Sequence, residues 1–410
     1  MTDLSLRSGW RARPPLAAPL PQLAGGLVAL AGLVTVLVPQ GIQVLYIALA
    51  VLGAALYLAR GGQARPAAGV LLPLLAFLAL GLVSLLWTTV PREGAGQAVA
   101  FLYVLGPGLV LIAALGEADD ALRARLERWF AIGLAIGLIL FAIEVAFDQP
   151  IYRFLKQLNG AKVANIKNMN RAAALFGLLV WPAALLLYRR GGRIAGFAAV
   201  LSYLVLSGFT SNASALTGMA VGVPLLAVAL AWPRLARGAI ATALVAAFVL
   251  AVPVAMTLHS TPLTREDVLP LSSRHRIEIW HVVGERILEK PILGWGLDAS
   301  RMIPNENDRT DFPQIVHDGN IIPLHPHNLF LQILLETGMV GAGLLLALGL
   351  GVLRRLATWP HPDRAFALTL YGTAVTMATF DYGAWQTWRL CGVLLAATLM
   401  VAIRRDRSAA

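Results

Sequence analysis

Apolar residues in this chain come in runs separated by short polar breaks. Twelve runs lie near residues 23–38, 42–59, 68–88, 96–115, 129–147, 172–188, 194–208, 213–232, 238–257, 327–352, 365–380 and 385–403. About 20 residues of helix cross the ~30 Å hydrocarbon layer, and a helix satisfies its own backbone polar groups there. The pattern predicts an all-α polytopic membrane protein with about 12 transmembrane helices. It also divides the chain into three parts: 1–257 with spans one to nine, a large outer segment 258–326, and 327–410 with spans ten to twelve and a tail.

Composition supports this reading. Of 410 residues, 58% are hydrophobic and 13% charged, about half the charged share of a soluble domain. The net charge of +11 does not call for nucleic acid, because the positive-inside rule accounts for most of it. The connections RGGQAR (60–65), ALRARLER (121–128), RRGGR (189–193) and PRLAR (233–237) share one face with both termini, Arg354, Arg355, Arg364 and the tail RRDR (404–407). That face is cytoplasmic. The basic N-terminus with Arg7, Arg11 and Arg13 is expected to precede an uncleaved first helix. The lone Cys391 allows no internal disulfide, and no GxxxxGK[ST] loop points to ATP hydrolysis.

Two outer segments break the charge rule. The loop 148–171 carries Arg153, Lys156, Lys162, Lys167 and Arg171, and the segment 258–326 carries seven further arginines and lysines. Cations on the unfavourable side point to an anionic ligand, against the plainer alternative of anchoring to anionic headgroups. The same face gathers six of the seven histidines, along with Glu144, Glu336 and Asp381 at span ends. A transporter would instead place its polar groups near the bilayer midplane.

Within the large segment, SSRHRIEIWHVVGERILEKP (272–291) reads as a helix over 272–290, capped by Ser272 or Ser273 and stopped by Pro291 and Gly294. Arg276, Trp280, Val283 and Ile287 share one face, and Glu278, Glu285 and Glu289 fall largely elsewhere. This amphipathic helix is expected to lie apolar face down. Arg276 is then either a snorkelling arginine or a planar fork for phosphate, with Arg274 as its understudy. The loop ILGWGLDASR (292–301) is glycine-punctuated and suited to packing closely against that helix. His317, Asp318, His325 and His327 match no metal-ligand spacing, so no metal is assigned.

The stretch PLHPHNLFLQILLETG (323–338) opens span ten near His325–Asn328, with Pro326 in the first turn. Its free amides would favour a phosphate beside them. Asn328, Gln332 and Glu336 are four apart and form a polar stripe that must face protein or a wet cavity. A lone histidine here would be a helix cap. The pair His325 and His327 over such a stripe points to a catalytic or substrate-contacting role.

Three pieces together resemble the O-antigen ligase and O-antigen polymerase superfamily: RIEIWHVVGERILEKPILGWGLD (276–298), HPHNLFLQILLETGMVGAGLLL (325–346) and NMNRAAALFGLLVWP (168–182). One departure stands out. TSNASALTGM (210–219) lacks the arginine the family often carries there, so no site is assigned to it.

The resemblance implies a GT-C-like glycosyltransferase of the bacterial inner membrane, with its active site facing the periplasm. It would transfer a glycan from undecaprenyl diphosphate to a hydroxyl of lipid A-core oligosaccharide, inverting, without cofactor, metal or nucleic acid. His327 or His325 would orient or deprotonate the hydroxyl. Arg171, Arg276 and Arg274 would hold the diphosphate, and Lys167, Trp280, Asn328, Gln332 and Asp381 complete the expected contacts. The related polymerase, with a second lipid-linked glycan as acceptor, is the alternative. A transporter or lipid flippase and a non-catalytic scaffold are readings of other classes. Asp119 and Asp120 lie on the cytoplasmic face, the wrong side for this donor.

Overall fold

A computed structural model describes residues 20–59, 61–62, 67–158, 167–264, 269–303, 322, 324–380 and 383–405. Fourteen α-helices and no strand are present among them. The first seven are α1 Leu20–Leu37, α2 Ile42–Ala59, α3 Ala68–Val83, α4 Pro91–Gly116, α5 Asp120–Ala146, α6 Pro150–Leu158 and α7 Lys167–Gly208. The others are α8 Ala213–Ala231, α9 Pro233–Val249, α10 Ala251–His259, α11 Leu271–Glu289, α12 Leu329–Leu356, α13 Asp363–Thr379 and α14 Thr387–Ile403.

Every expected span meets a helix. Seven of the described helices are long and apolar enough to cross a membrane, and the pair α9 and α10, bent by 60°, makes an eighth. The expected twelve also count α1, α13 and α14, and take α7 as two spans. The last point is borne out by Tyr203, whose hydroxyl donates to Ala173 O at 2.8 Å across thirty residues of the same nominal helix. The halves of α7 fold back on one another at Gly192 (φ 77°, ψ −173°). The stretch 148–171, expected to be a loop, contains α6, and α7 opens within it at Lys167.

The chain forms two compact units: 1–66 with 104–210 and 391–404, and 67–103 with 211–390 and 405–410. The first is centred on the N-terminal half of α7, buried almost continuously from Ala172 to Leu186. Arg123 of α5 is buried in the same unit. It donates to Ala118 O at 3.0 Å, Arg404 O at 2.7 Å and Leu115 O at 3.2 Å. One guanidinium thus satisfies the carbonyls that α4 and α14 leave open at their ends. Charge distribution alone had made this arginine a topology signal. Asp119 has a plain role too, capping α5 through Leu122 N at 2.7 Å.

In the second unit α12 packs against α3, α9, α11 and α13, and α8 pairs with α13. α11 buries Trp280, Val283 and Ile287 as expected. Two details differ. The helix starts at Leu271 after Pro270 rather than at a serine cap, because Pro270 already holds the extended backbone an N-cap needs. Glu278 is buried rather than turned away, since His259 at the end of α10 meets its carboxylate at 3.2 Å.

Candidate active site

The site begins with a break. α12 is interrupted at Gly338 (φ 61°, ψ −164°), which frees backbone groups on both sides of it. The loop after α11 takes them up. Trp295 N donates to Leu335 O and Gly296 N to Glu336 O, each at 2.8 Å. Met339 N donates in return to Pro291 O at 2.8 Å and Val340 N to Ile292 O at 3.2 Å. Residues 291–296 therefore form a strap across the break. Gly294 and Gly296 permit it: both have positive φ, and a Cβ on either would lie 2.5 Å from the backbone of Glu336 or the side chain of Thr88. The close packing expected of this loop is real, but its main partner is α12. Trp295 ties it to α11 as well, through Nε1 to Arg286 O at 2.8 Å.

Directly under the strap lies Glu336, fully buried. Its carboxylate accepts from Asp298 N at 2.6 Å, Trp385 Nε1 at 2.5 Å and Gln332 Nε2 at 2.9 Å. Gln332 Oε1 accepts in turn from Ala384 N at 2.7 Å. The polar stripe thus faces protein, and it joins three segments: α12, the strap and the turn before α14. Both ends of the Gln332 amide, expected to contact substrate, are thus engaged inside the protein.

Asn328 caps α12 with backbone φ −149°, its Oδ1 accepting from Phe330 N at 3.0 Å and Leu331 N at 3.2 Å. The helix starts at Leu329, so Pro326 precedes the first turn rather than occupying it. The amides expected to meet a phosphate are therefore partly taken by the cap. What remains at this end is the turn of His325, Pro326 and His327. Trp280 Nε1 holds it, donating to Pro326 O at 2.9 Å, and His327 adopts the left-handed φ of 56° that aims its ring edge-on at His325, centroids 4.3 Å apart.

His325 is contacted at both ring nitrogens, of which a neutral ring accepts at one. His327 N approaches its Nδ1 at 3.3 Å and the Gln386 amide nitrogen its Nε2 at 3.3 Å, while Trp388 Nε1 holds Gln386 Oε1 at 3.1 Å. Burial, then the charges of Arg301 and Arg276, push the imidazole down to about 4, so it stays neutral at ordinary pH. Arg301 is itself anchored, Nε to Asp298 Oδ2 at 2.6 Å, from a left-handed Asp298 (φ 62°) in the loop that continues the strap. Burial raises the Asp298 carboxyl, and the Arg301 guanidinium works against that rise.

The second unit thus brings together His325, His327, Arg276, Trp280, Asn328 and Gln332, with Arg274 half-buried two residues before Arg276 on α11. Arg171 and Lys167 belong to the first unit, on α7, and Asp381 lies outside the described residues. Sequence reasoning missed Arg301, Asp298, Trp385 and Gln386. Arg301 and Asp298 could have been found, since they close the glycine-punctuated loop. The other two had no signal, because an aromatic beside a span end is an ordinary interfacial residue.

A model of the O-antigen ligase family matches residues 175–346, which takes in α11, the strap and the histidine turn. Provisionally named polysaccharide ligases are also similar. The Rickettsia typhi protein is 26% identical over 286 residues, covering 68% of this chain and 69% of its own. Those of Rickettsia conorii and Rickettsia prowazekii are 25% and 26% identical, each covering 67% of its own length and 68% and 67% of this chain. Over this region the chain is similar to the O-antigen ligase family. The matched region stops before Trp385 and Gln386, so the floor under Glu336 and His325 is supplied from beyond it. Lys167 and Arg171 lie just ahead of it.

Proposed function

We propose that this chain is a glycosyltransferase that moves a glycan from undecaprenyl diphosphate onto a hydroxyl of lipid A-core oligosaccharide, at the periplasmic face of the inner membrane. One observation carries this reading: two histidines meet edge-on, centroids 4.3 Å apart, in a turn held by Trp280 from α11, the helix that also carries Arg276. The names of the relatives support transfer of a polysaccharide, and the arginine-rich connections on the opposite face support the periplasmic side.

The acceptor oxygen bonds to the anomeric carbon as the bond from that carbon to the diphosphate oxygen breaks. The departing diphosphate keeps the electron pair, and Arg276 and Arg301 stabilise the charge growing on it. The hydroxyl proton goes to His327. His325 is a poor candidate for that proton, because its Nδ1 faces the His327 amide, it is largely buried, and two guanidinium charges oppose a third cation beside them. Its role is to hold His327 in place. Attack opposite the leaving group inverts the anomeric centre, and the step needs no metal ion.

The test is a purified assay. Protein with lipid-diphosphate glycan and lipid A-core should yield glycan on lipid A-core, and His327→Ala should lower the rate at least 100-fold while His325→Gln retains part of it. Lengthening of the donor in the absence of lipid A-core would instead identify a polymerase. Full activity of His327→Ala would remove the assigned base.

A further inference from the structure

At the end of α5, away from the histidine turn in the chain, the first unit contains a cavity of about 160 Å³. Glu144, Asp148, Gln149, Asn170, Phe209 and Thr210 are among its lining residues. The turn that forms it is unusual. Two successive non-glycine residues, Asp148 (φ 56°) and Gln149 (φ 63°), are left-handed, a backbone state that clusters at ligand sites. Gln149 N is fixed to Glu144 O at 2.7 Å and Gln149 O accepts from Arg153 N at 2.9 Å. This turns the side chain inward, where it is 3% exposed and its Oε1 has no partner among the described residues.

The chemistry of the lining selects the ligand. Glu144 is buried, but its two oxygens accept from Ile151 N at 2.8 Å and Tyr152 N at 3.2 Å, so the start of α6 compensates its charge. Asp148 is paired with Arg153. With both carboxylates compensated, the cavity has little pull on a cation, yet it offers acceptor oxygens: the free Gln149 Oε1 and the second lone pairs of Glu144. Such a lining asks for hydroxyl donors. Phe209, 72% exposed, adds an apolar ring beside them. The volume holds several waters at ~30 Å³ each, but falls well below the ~300 Å³ at which sites for drug-sized molecules begin. It suits a single sugar ring.

We propose that this cavity is a saccharide subsite that binds one neutral sugar residue of the transferred glycan, its hydroxyls donating to Gln149 Oε1 and Glu144 and its carbon face resting on Phe209. The choice of ligand rests on the glycan-transfer reading above. A hexuronate is disfavoured, since its carboxylate would meet Glu144 and Asp148.

The test measures binding apart from transfer. Methyl glycosides of a hexose, an N-acetylhexosamine and a hexuronate are titrated into purified full-length protein and followed by saturation-transfer NMR. A neutral glycoside should bind, at least 10-fold more tightly than the hexuronate. Gln149→Asn, which tolerates the left-handed backbone but withdraws the carbonyl, should weaken binding about 10-fold. So should Phe209→Ala, a surface change that leaves the fold intact, and Phe209→Tyr should restore binding. In transfer assays the same variants should raise KM for the glycan donor and leave kcat near wild type. Absence of neutral-glycoside binding, unchanged binding in both weakening variants, or equal affinity for the hexuronate would overturn the subsite, even if transfer is intact. Binding that the variants weaken, in a protein that transfers no glycan, would uphold the subsite and refute the transferase reading.

Discussion

Gly192 and Gly338 have nearly the same backbone, φ 77° and ψ −173° against φ 61° and ψ −164°. This conformation is essentially reserved to glycine, and each residue interrupts an otherwise continuous apolar helix. The surroundings separate them. At Gly192 a Cβ would meet nothing within 4 Å, and the chain simply reverses between two spans. At Gly338 a Cβ would run into the carbonyl of Ile292, because the strap lies directly on the break. One glycine makes a turn; the other makes a socket. The backbone groups freed at the socket hold the strap that carries Asp298 and Arg301 to the histidine turn.

The largest expected effect tests the socket. Gly338→Ala combines a forbidden backbone with overlap against the strap, a loss of about 4–5 kcal/mol. The measurements are the thermal unfolding midpoint in detergent and glycan transfer, both of which should collapse. A stable, active variant would mean that the strap yields easily and that the two glycines are alike after all. Next comes Glu336→Gln, which offers one acceptor oxygen where the carboxylate meets three N–H donors. A donor left facing the new amide costs about 2–3 kcal/mol. Denaturant unfolding should show that loss, and transfer should fall with it as the strap and the turn before α14 lose their common anchor.

Acid should act on the same region more gently. His325 is held below its ordinary value, so the unfolded chain binds a proton that the folded one refuses. Stability is therefore full above pH 6.5 and declines as pH falls from there to about 4. Allowing for partial exposure of the ring, the loss is about 2 kcal/mol. The difference in unfolding free energy between wild type and His325→Gln, followed from pH 7 to pH 4, isolates it. A difference independent of pH would show that the ring is not held neutral.

Much of this was legible in the sequence, for reasons that differ by residue. The spans were readable because lipid demands long apolar runs. The Asn328, Gln332 and Glu336 stripe was readable because three polar groups on one face of a membrane helix require shelter. Arg276 and the histidine pair stood out as polar groups crowded at a span end. The strap was only half readable: its glycines announced close packing, but nothing in ETGMVGAG marks Gly338 as the place where α12 opens to receive it. A glycine in an apolar helix usually stays helical, and only a three-dimensional neighbour decides otherwise. For the same reason Trp385 and Gln386 gave no warning, since their partners are about fifty to sixty residues away.

The smallest effect completes the comparison. Gly192→Ala should cost about 1.5 kcal/mol, the backbone penalty alone, since no atom opposes the added methyl. Unfolding of the purified variant reads this value, and transfer at saturating donor should remain near wild type. Because the two glycines share a backbone state, the cost at Gly192 is also the backbone part of the cost at Gly338. Subtracting one from the other leaves the overlap with the strap, about 3 kcal/mol if the socket is as tight as its geometry indicates. If Gly192→Ala proves as damaging as Gly338→Ala, then the reversal between the halves of α7 is not a plain turn, and the distinction between turn and socket fails at its simpler end.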